Sequence, residues 1–459
     1  MIDRAPTASQ GAASSAALSE DRRRFDRTPG VVYFFRVRRN PRLTGWDSLQ
    51  ILTKLFSDQQ VRAVVEFEGR LDEARLAGAI RTAVEVEPVL GCRVQRRFWH
   101  PRWKPLRSFD ADALLKVVES SDTETAVRQL LVEDLDPWRG PIFRISLVRG
   151  DSDTLVVNLD HTAGDAASVR LLTQLLASSY SRPAPGTSAP ARSYYERRGF
   201  RSLLGLLPGG SRSGKPVAPP PGMRPPWRFP WRPAAADGEK RIEMRRLSPE
   251  RTAAVLAYAG QKSAWLNDVL LASYFRALAR LIGPREEVPA LTIPVDLRKY
   301  LPAEDRPRIA NFSASFTMAL KEGIGDSLDD TLERVRAASA ETKRGLPGLD
   351  QAASLSALAD RVPFRIIEWR LAHGKVPISL PPPWFIALGV LRPESFAFGP
   401  VRVKRAYVLP SITRAGGVFQ LSASCFASSL ALAVCFAGDE ASAATVKQFL
   451  ELFIAELPS

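Results

Sequence analysis

Histidine is scarce in this chain: among 459 residues only His100, His161 and His373 carry an imidazole. His161 follows the apolar run Leu155-Val-Val-Asn-Leu159 and Asp160, and opens the polar turn Thr162-Ala163-Gly164-Asp165. A side chain at the mouth of a strand is held firmly yet faces a cavity, where a general base must sit to take a proton from a nucleophile. An imidazole with an ordinary pKa of about 6.5 is mostly neutral near neutral pH and accepts that proton without tuning. Alone, His161 and Asp165 establish little. An aspartate after a glycine is an ordinary helix N-cap, and a strand-end histidine is often structural. His100 lies in the aromatic loop Phe98-Trp99-His100-Pro101-Arg102-Trp103 and reads as structural or as part of a rim. His373, beside Gly374 after a helical pattern, reads as a partner of a helix C-terminus. Ser422, Ser424 and Cys425 have no second histidine near them in sequence, so covalent catalysis is unsupported. Cys92, Cys425 and Cys435 show no metal-ligand spacing and read as buried small hydrophobes in a reducing compartment, so no metal is expected. No phosphate-binding glycine loop of a standard pattern occurs.

The elements that must position His161 read as α/β. Val61 to Phe67 alternates like a strand, and Asp72 caps a helical pattern in which Leu76, Ile80, Ala83 and Val84 share a face. Pro88 ends it, Gly91 to Phe98 returns as a strand, and Asp136 to Pro141 is a turn cluster. Ile142 to Val148 and Thr154 to Leu159 read as a hairpin, and the helix after Asp165 buries Val169, Leu172, Leu175 and Leu176. A second α/β lobe begins near Lys240. Helical patterns cover 249–260, 266–282, 325–344, 350–372 and 440–456; strands cover 290–294, 312–318, 401–408, 418–425 and 429–436. No close internal repeat links the lobes. The expected organisation is a lead-in over 1–29, a first lobe over 30–181, a linker over 182–240 and a second lobe over 241–459.

Composition is that of a globular protein, with 45% hydrophobic and 25% charged residues. No apolar run reaches the roughly 18 residues that span a bilayer, and residues 1–29 lack the apolar core of a signal peptide, so a cytoplasmic protein is expected. The formal charge of +15 and pI near 10.1 call for an anionic partner. No nucleic-acid-binding module is recognisable, which makes nucleic acid the weakest candidate. The linker is dense in proline and arginine. Within it, Tyr194 to Leu207 mixes Arg197, Arg198 and Arg201 with Phe200, Leu203 and Leu204, which suits either a membrane headgroup region or a short helix on the protein's own surface.

Further segments resemble the superfamily of CoA-dependent acyltransferases, which includes condensation domains, wax ester synthase/diacylglycerol acyltransferases and alcohol acetyltransferases. Asp160-His161-Thr-Ala-Gly-Asp165-Ala166 is similar to its His-His-x-x-x-Asp-Gly signature. Asn267-Asp268-Val269 resembles its Asn-Asp-Val segment, and Pro294-Val295-Asp296-Leu297-Arg298 with Ala310-Asn311 resembles its Pro-Val-x-Leu-Arg and Gly-Asn elements. Gly140-Pro141-Ile142-Phe143-Arg144 resembles a Gly-Pro-Leu-Phe-Arg strand entry, and the ordered set spans about 60–456.

The resemblance implies two chloramphenicol-acetyltransferase-like lobes of mixed sheet with flanking helices and an active-site tunnel at their interface. It implies His161 as general base for acyl transfer from a thioester to a hydroxyl of a hydrophobic or lipid acceptor. Amide-forming condensation of carrier-bound substrates and a catalytically silent binding protein are the alternatives. Asp165 would pair with Arg298 to support the site, and Asp160, Gly164, Asn267, Asp268 and Asn311 would line it. The turn amides of Thr162, Ala163 and Gly164 are the expected oxyanion donors. No permanently bound cofactor is implied. Acyl-CoA or acyl-phosphopantetheine would be the co-substrate, an acyl- or peptidyl-carrier protein a partner, and a peripheral membrane contact a further one. Two departures stand out. Asp160 replaces the first motif histidine, and Ala166 replaces the motif glycine, adding a Cβ where the family keeps backbone close.

Overall fold

The strand that delivers His161 is the central one of five, and every residue in it is buried. This is seen in a computed structural model that describes residues 40–106, 114–182, 198–204, 227–231, 238–343, 345–376 and 381–459. The expected lead-in over 1–29 and most of the linker lie outside these residues.

In chain order the first half holds α1 (Gly45–Leu52), β1 (Gln60–Phe67), α2 (Glu73–Val86), β2 (Cys92–Gln95), β3 (Arg102–Pro105) and β4 (Leu115–Glu119). It continues with α3 (Thr123–Val132), β5 (Phe143–Arg149), β6 (Asp153–Asp160), α4 (Ala166–Tyr180) and the short α5 (Arg201–Leu204). The second half holds β7 (Glu239–Arg246), α6 (Pro249–Gln261), α7 (Leu266–Ile282), β8 (Ala290–Asp296), β9 (Ser313–Ala319), α8 (Leu328–Lys343), α9 (Leu349–Arg361) and α10 (Phe364–Ala372). It ends with β10 (Trp384–Leu391), β11 (Val403–Leu409), β12 (Thr413–Arg414), β13 (Gln420–Phe426), β14 (Ser429–Gly438) and α11 (Glu440–Ala455).

Two mixed sheets organise these elements. The first runs β11-β1-β6-β5-β4, with β4 parallel to β5 and the other neighbours antiparallel. The second runs β12-β14-β13-β10-β8-β9, with β7 also paired to β14 and β10 parallel to both β13 and β8. One face of the first sheet packs on α2 and α4 through Ile80, Val84, Val157, Leu159, Val169 and Leu172. The second sheet packs on α7 and α11 through Phe275, Phe385, Leu432, Phe449 and Phe453. Both helices show the helical spacing of apolar residues visible in the sequence.

The other face of the first sheet explains why β1 and β6 lack an exposed side. Val64 and Val156 join Val127 and Leu130 of α3 and also Ala431, Ala433 and Cys435 of β14. The sheets therefore share one apolar cluster. They also share a strand, because Val403–Leu409 pairs with β1 although the sequence groups it with the second lobe. Serines of β13 meet β11: Val408 N–H donates to Ser424 Oγ at 3.2 Å, and Ser422 Oγ lies 3.5 Å from Val408 O. Ser422 and Ser424 are thus structural.

Other departures have local causes. The helical pattern over 350–372 is two helices, because Pro363 removes an amide donor and clashes with the preceding turn. The strand expected from Gly91 to Phe98 stops at Gln95. Cys92, Cys425 and Cys435 are buried thiols outside any disulfide among the described residues, and burial pushes the Cys435 thiol up to about 12. Among the described residues no helix is long and apolar enough to cross a membrane.

Beside the seam, Arg62 is fully buried and pairs with Asp58; its Nε donates to Leu131 O at 2.5 Å and its Nη1 to Pro410 O at 3.3 Å. Asp58 in turn accepts Ile412 N–H at 2.9 Å. The Arg62→Ala variant leaves a buried carboxylate without its cation. We expect a loss of about 3–5 kcal/mol in stability, read as a lower urea midpoint at unchanged slope.

Candidate active site

At the end of β6 the backbone N–H of His161 donates to Gln59 O at 2.8 Å, which fixes where the strand turns. Asp165 then caps α4: its Oδ1 accepts Ser168 N–H at 3.0 Å, and Ser168 Oγ accepts Asp165 N–H at 3.2 Å. This reciprocal capping satisfies helix-end donors that would otherwise be orphaned in a buried place. His161 is half-buried, and its Nδ1 is buried with no hydrogen-bond partner among the described residues.

The other carboxylate oxygen of Asp165 faces the second half of the chain. Asp165 Oδ2 accepts Arg298 Nη1 at 3.0 Å and Phe312 N–H at 2.8 Å. Arg298 is almost fully buried, and each of its five N–H groups has an acceptor: Pro307 O, Asp165, Asp296, Ser168 Oγ and Ala310 O. Burial by itself would raise the Asp165 pKa, but the Arg298 charge and hydrogen bonds, the Phe312 amide and a smaller contribution from His161 overcome it. The carboxyl is held at about 2.

A second network holds the His161 turn from behind. Asn311 Nδ2 lies 2.9 Å from His161 O, 3.1 Å from Thr162 O and 2.9 Å from Asp47 Oδ1. Arg198 pairs with Asp47 at 3.0 Å and donates to Ala163 O at 3.0 Å and Ile309 O at 2.6 Å. All three carbonyls from His161 to Ala163 are therefore tied down. The sequence reading missed Asp47, Arg198, Ser168 and Lys54. Asp47 looks like an ordinary first-turn acid of a capped helix, and its partners lie 151 and 264 residues away.

Several expected residues take other places. Asp160 is fully buried, pairs with Lys54 at 2.8 Å and accepts Thr162 N–H at 2.9 Å, and so braces the turn. The amides of Thr162 and Ala163 are consumed by Asp160, which leaves Gly164 as the turn amide without a partner among the described residues. Gly164 has no room for a Cβ, which would sit 2.6 Å from Ser168. Ala166 is the first residue of α4 and lies outside the left-handed region, so replacing the motif glycine costs no backbone strain.

Asn267 and Asp268 open α7 in the second lobe. Asp268 accepts Trp265 N–H at 3.4 Å, Asn267 Oδ1 is buried without a partner, and neither residue bonds to His161, Asp165, Arg298 or Asn311 among the described residues. His373 ends α10 with its Nδ1 2.8 Å from Trp369 O. Of the stretch read as membrane-like, Phe200 and Leu203 are buried against Leu297, Leu301 and Phe312, while 205–226 lie outside the described residues. A cavity of about 610 Å³, lined by Trp227, Arg280, Arg285 and Lys321, lies in the second lobe and contains none of these groups. Among the described residues no cluster of His, Cys, Asp or Glu could hold a metal.

The Asp165 pKa lies below that of an unfolded aspartate, near 3.9, so its contribution to stability is complete above that value and is lost as pH falls towards about 2. Replacing Asp165 with Asn should remove that part of the acid-side slope in a denaturation series. At neutral pH it should cost about 3–5 kcal/mol, since Arg298 is left buried without its main counter-ion.

No family model and no curated protein matches the sequence. Solved structures match nearly its whole length. The first condensation domain of the calcium-dependent antibiotic synthetase, in complex with a substrate analogue, superposes with a TM-score of 0.64 at 18% identity, covering 92% of this chain and 97% of that one. Polyketide synthase associated protein 5 from Mycobacterium tuberculosis gives 0.63 at 15% identity over 93% and 98%. The trichothecene 15-O-acetyltransferase TRI3 from Fusarium sporotrichioides gives 0.63 at 10% identity over 91% and 95%. This chain therefore has the two-lobe fold of mixed sheets and flanking helices seen in condensation domains and related acyltransferases.

Proposed function

We propose that this chain transfers an acyl group from a thioester to a nucleophile, with His161 as general base. The observation that carries this reading is the treatment of the His161 turn. Its three carbonyls and the amides of His161, Thr162 and Ala163 are bonded within the protein, while the half-buried imidazole keeps its Nδ1 without a partner among the described residues. A scaffold spends that many buried hydrogen bonds on a turn where side-chain position matters.

In the proposed reaction the imidazole takes the acceptor's proton as its oxygen or nitrogen attacks the thioester carbonyl. The new bond forms, the carbon–sulfur bond breaks, and the thiol leaves with the proton returned by the imidazolium. Gly164 N–H is the remaining turn donor for the tetrahedral oxyanion. Asp165 and Arg298 hold the turn against the second lobe and handle no proton. Substrates would reach His161 from the interface between the lobes. The donor would be acyl-CoA or an acyl group on a carrier's phosphopantetheine.

A hydroxyl on a hydrophobic or lipid acceptor is our first reading of the nucleophile, and the likeness to an O-acetyltransferase supports it. The likeness to condensation domains supports an amine acceptor on a carrier equally well. A silent binding protein of the same fold is the third reading. Free-thiol release from acyl-CoA and acyl-carrier donors, with alcohols and amines as acceptors, separates the three. Acceptor-dependent release should fall by about 10²-fold or more in His161→Ala. Release unchanged by that substitution would sink the mechanism, and no release from any donor would favour the silent protein.

A further inference from the structure

We infer that the loop around Phe98 and Trp99, together with α10, forms a docking surface for an anionic lipid bilayer. Phe98 and Trp99 are 57% and 56% exposed, and Ile366 and Trp369 of α10 are 42% and 48% exposed. The two segments are joined: Phe364 N–H donates to Trp99 O at 2.9 Å and Arg365 N–H to Phe98 O at 3.1 Å. Ile366 and Trp369, three residues apart, share a stripe of the helix. Large aromatic side chains left in water on adjoining segments cost free energy unless something covers them.

Charge selects the cover. From Arg93 to Lys104 the sequence carries five cations and no carboxylate; from Asp360 to Lys375 it carries four cations and two carboxylates, Asp360, which faces Arg42 and His100, and Glu368. Glu368 is already paired with Arg96 at 3.3 Å and Arg365 at 2.8 Å. Lys375 Nζ sits 4.5 Å from the Trp369 ring centre. Exposed tryptophan and phenylalanine within a nearly unopposed field of arginine fit the headgroup region of an anionic membrane, where rings enter the interface and guanidinium groups meet phosphates. This surface differs from the linker stretch whose Phe200 and Leu203 are buried. The inference goes beyond acyl transfer and does not rest on it.

The test is co-sedimentation of the full chain with vesicles of phosphatidylcholine containing about a third phosphatidylglycerol, against vesicles of phosphatidylcholine alone. We expect binding to the anionic vesicles only, a blue shift of tryptophan emission, and weakening as salt rises. Trp99→Ala with Trp369→Ala, and separately Arg365→Glu with Arg370→Glu, should each weaken binding by about 10-fold or more while keeping the wild-type far-UV spectrum. Failure of the wild type to bind, or wild-type binding by both double variants, would overturn the inference. So would capture of a soluble acidic carrier protein by this surface without vesicle binding. His161→Ala should bind vesicles fully, and the surface variants should keep thiol release with a soluble acceptor, so each reading can fail alone.

Discussion

The buried guanidinium of Arg298 is the constraint on which the site depends. It comes from the 3₁₀ turn after β8, yet it reaches across to Asp165 and Ser168 at the start of α4. An ion pair inside a protein rarely gains much over an apolar replacement, since desolvating both charges cancels most of their attraction. Its value is in what it joins. A carboxylate held at about 2, with an arginine whose five donors are all engaged, ties the start of α4 to the turn after β8 beside His161.

Asp47, Arg198 and Asn311 do comparable work on the opposite side of that turn. The two networks converge on one short segment of backbone from elements scattered between residues 47 and 312. Rigid support of this kind would hold the His161 side chain within the tolerance that the proposed chemistry needs. Among the described residues the His161 Nδ1 has no hydrogen-bond partner, while the carbonyls of its turn are bonded.

Much of this arrangement was legible in the sequence. The apolar alternation of β6, the cap at Asp165 and the helical spacing behind it gave the strand, turn and helix around His161, and the family resemblance implied the Asp165–Arg298 pairing. What stayed hidden was long-range. Nothing near Asp47 marks it as a partner of Arg198 or Asn311, and Arg198 sits in a segment whose composition looks like a membrane linker. Local reading also passed over β10, of which only Phe385 and Leu391 are buried, and α3, whose apolar face acquires meaning only once β14 of the second sheet packs beside it. Nor does the sequence show that Lys54, 106 residues away, pairs with Asp160 beside His161.

The shared strand has a consequence for how the chain acquires its structure. β11 closes the β1 edge of the first sheet, yet it lies more than two hundred residues downstream of the other strands there. During synthesis, β1, β6, β5 and β4 emerge long before the strand that completes them, and the open edge of β1 is a template for wrong pairing until it arrives. Closure over such a separation is slow, since loop entropy must be overcome before the contact is made. The two lobes are therefore poor candidates for independent expression or for rejoining from separate polypeptides. A break placed anywhere between Asp160 and Val403 severs the first sheet from its own last strand.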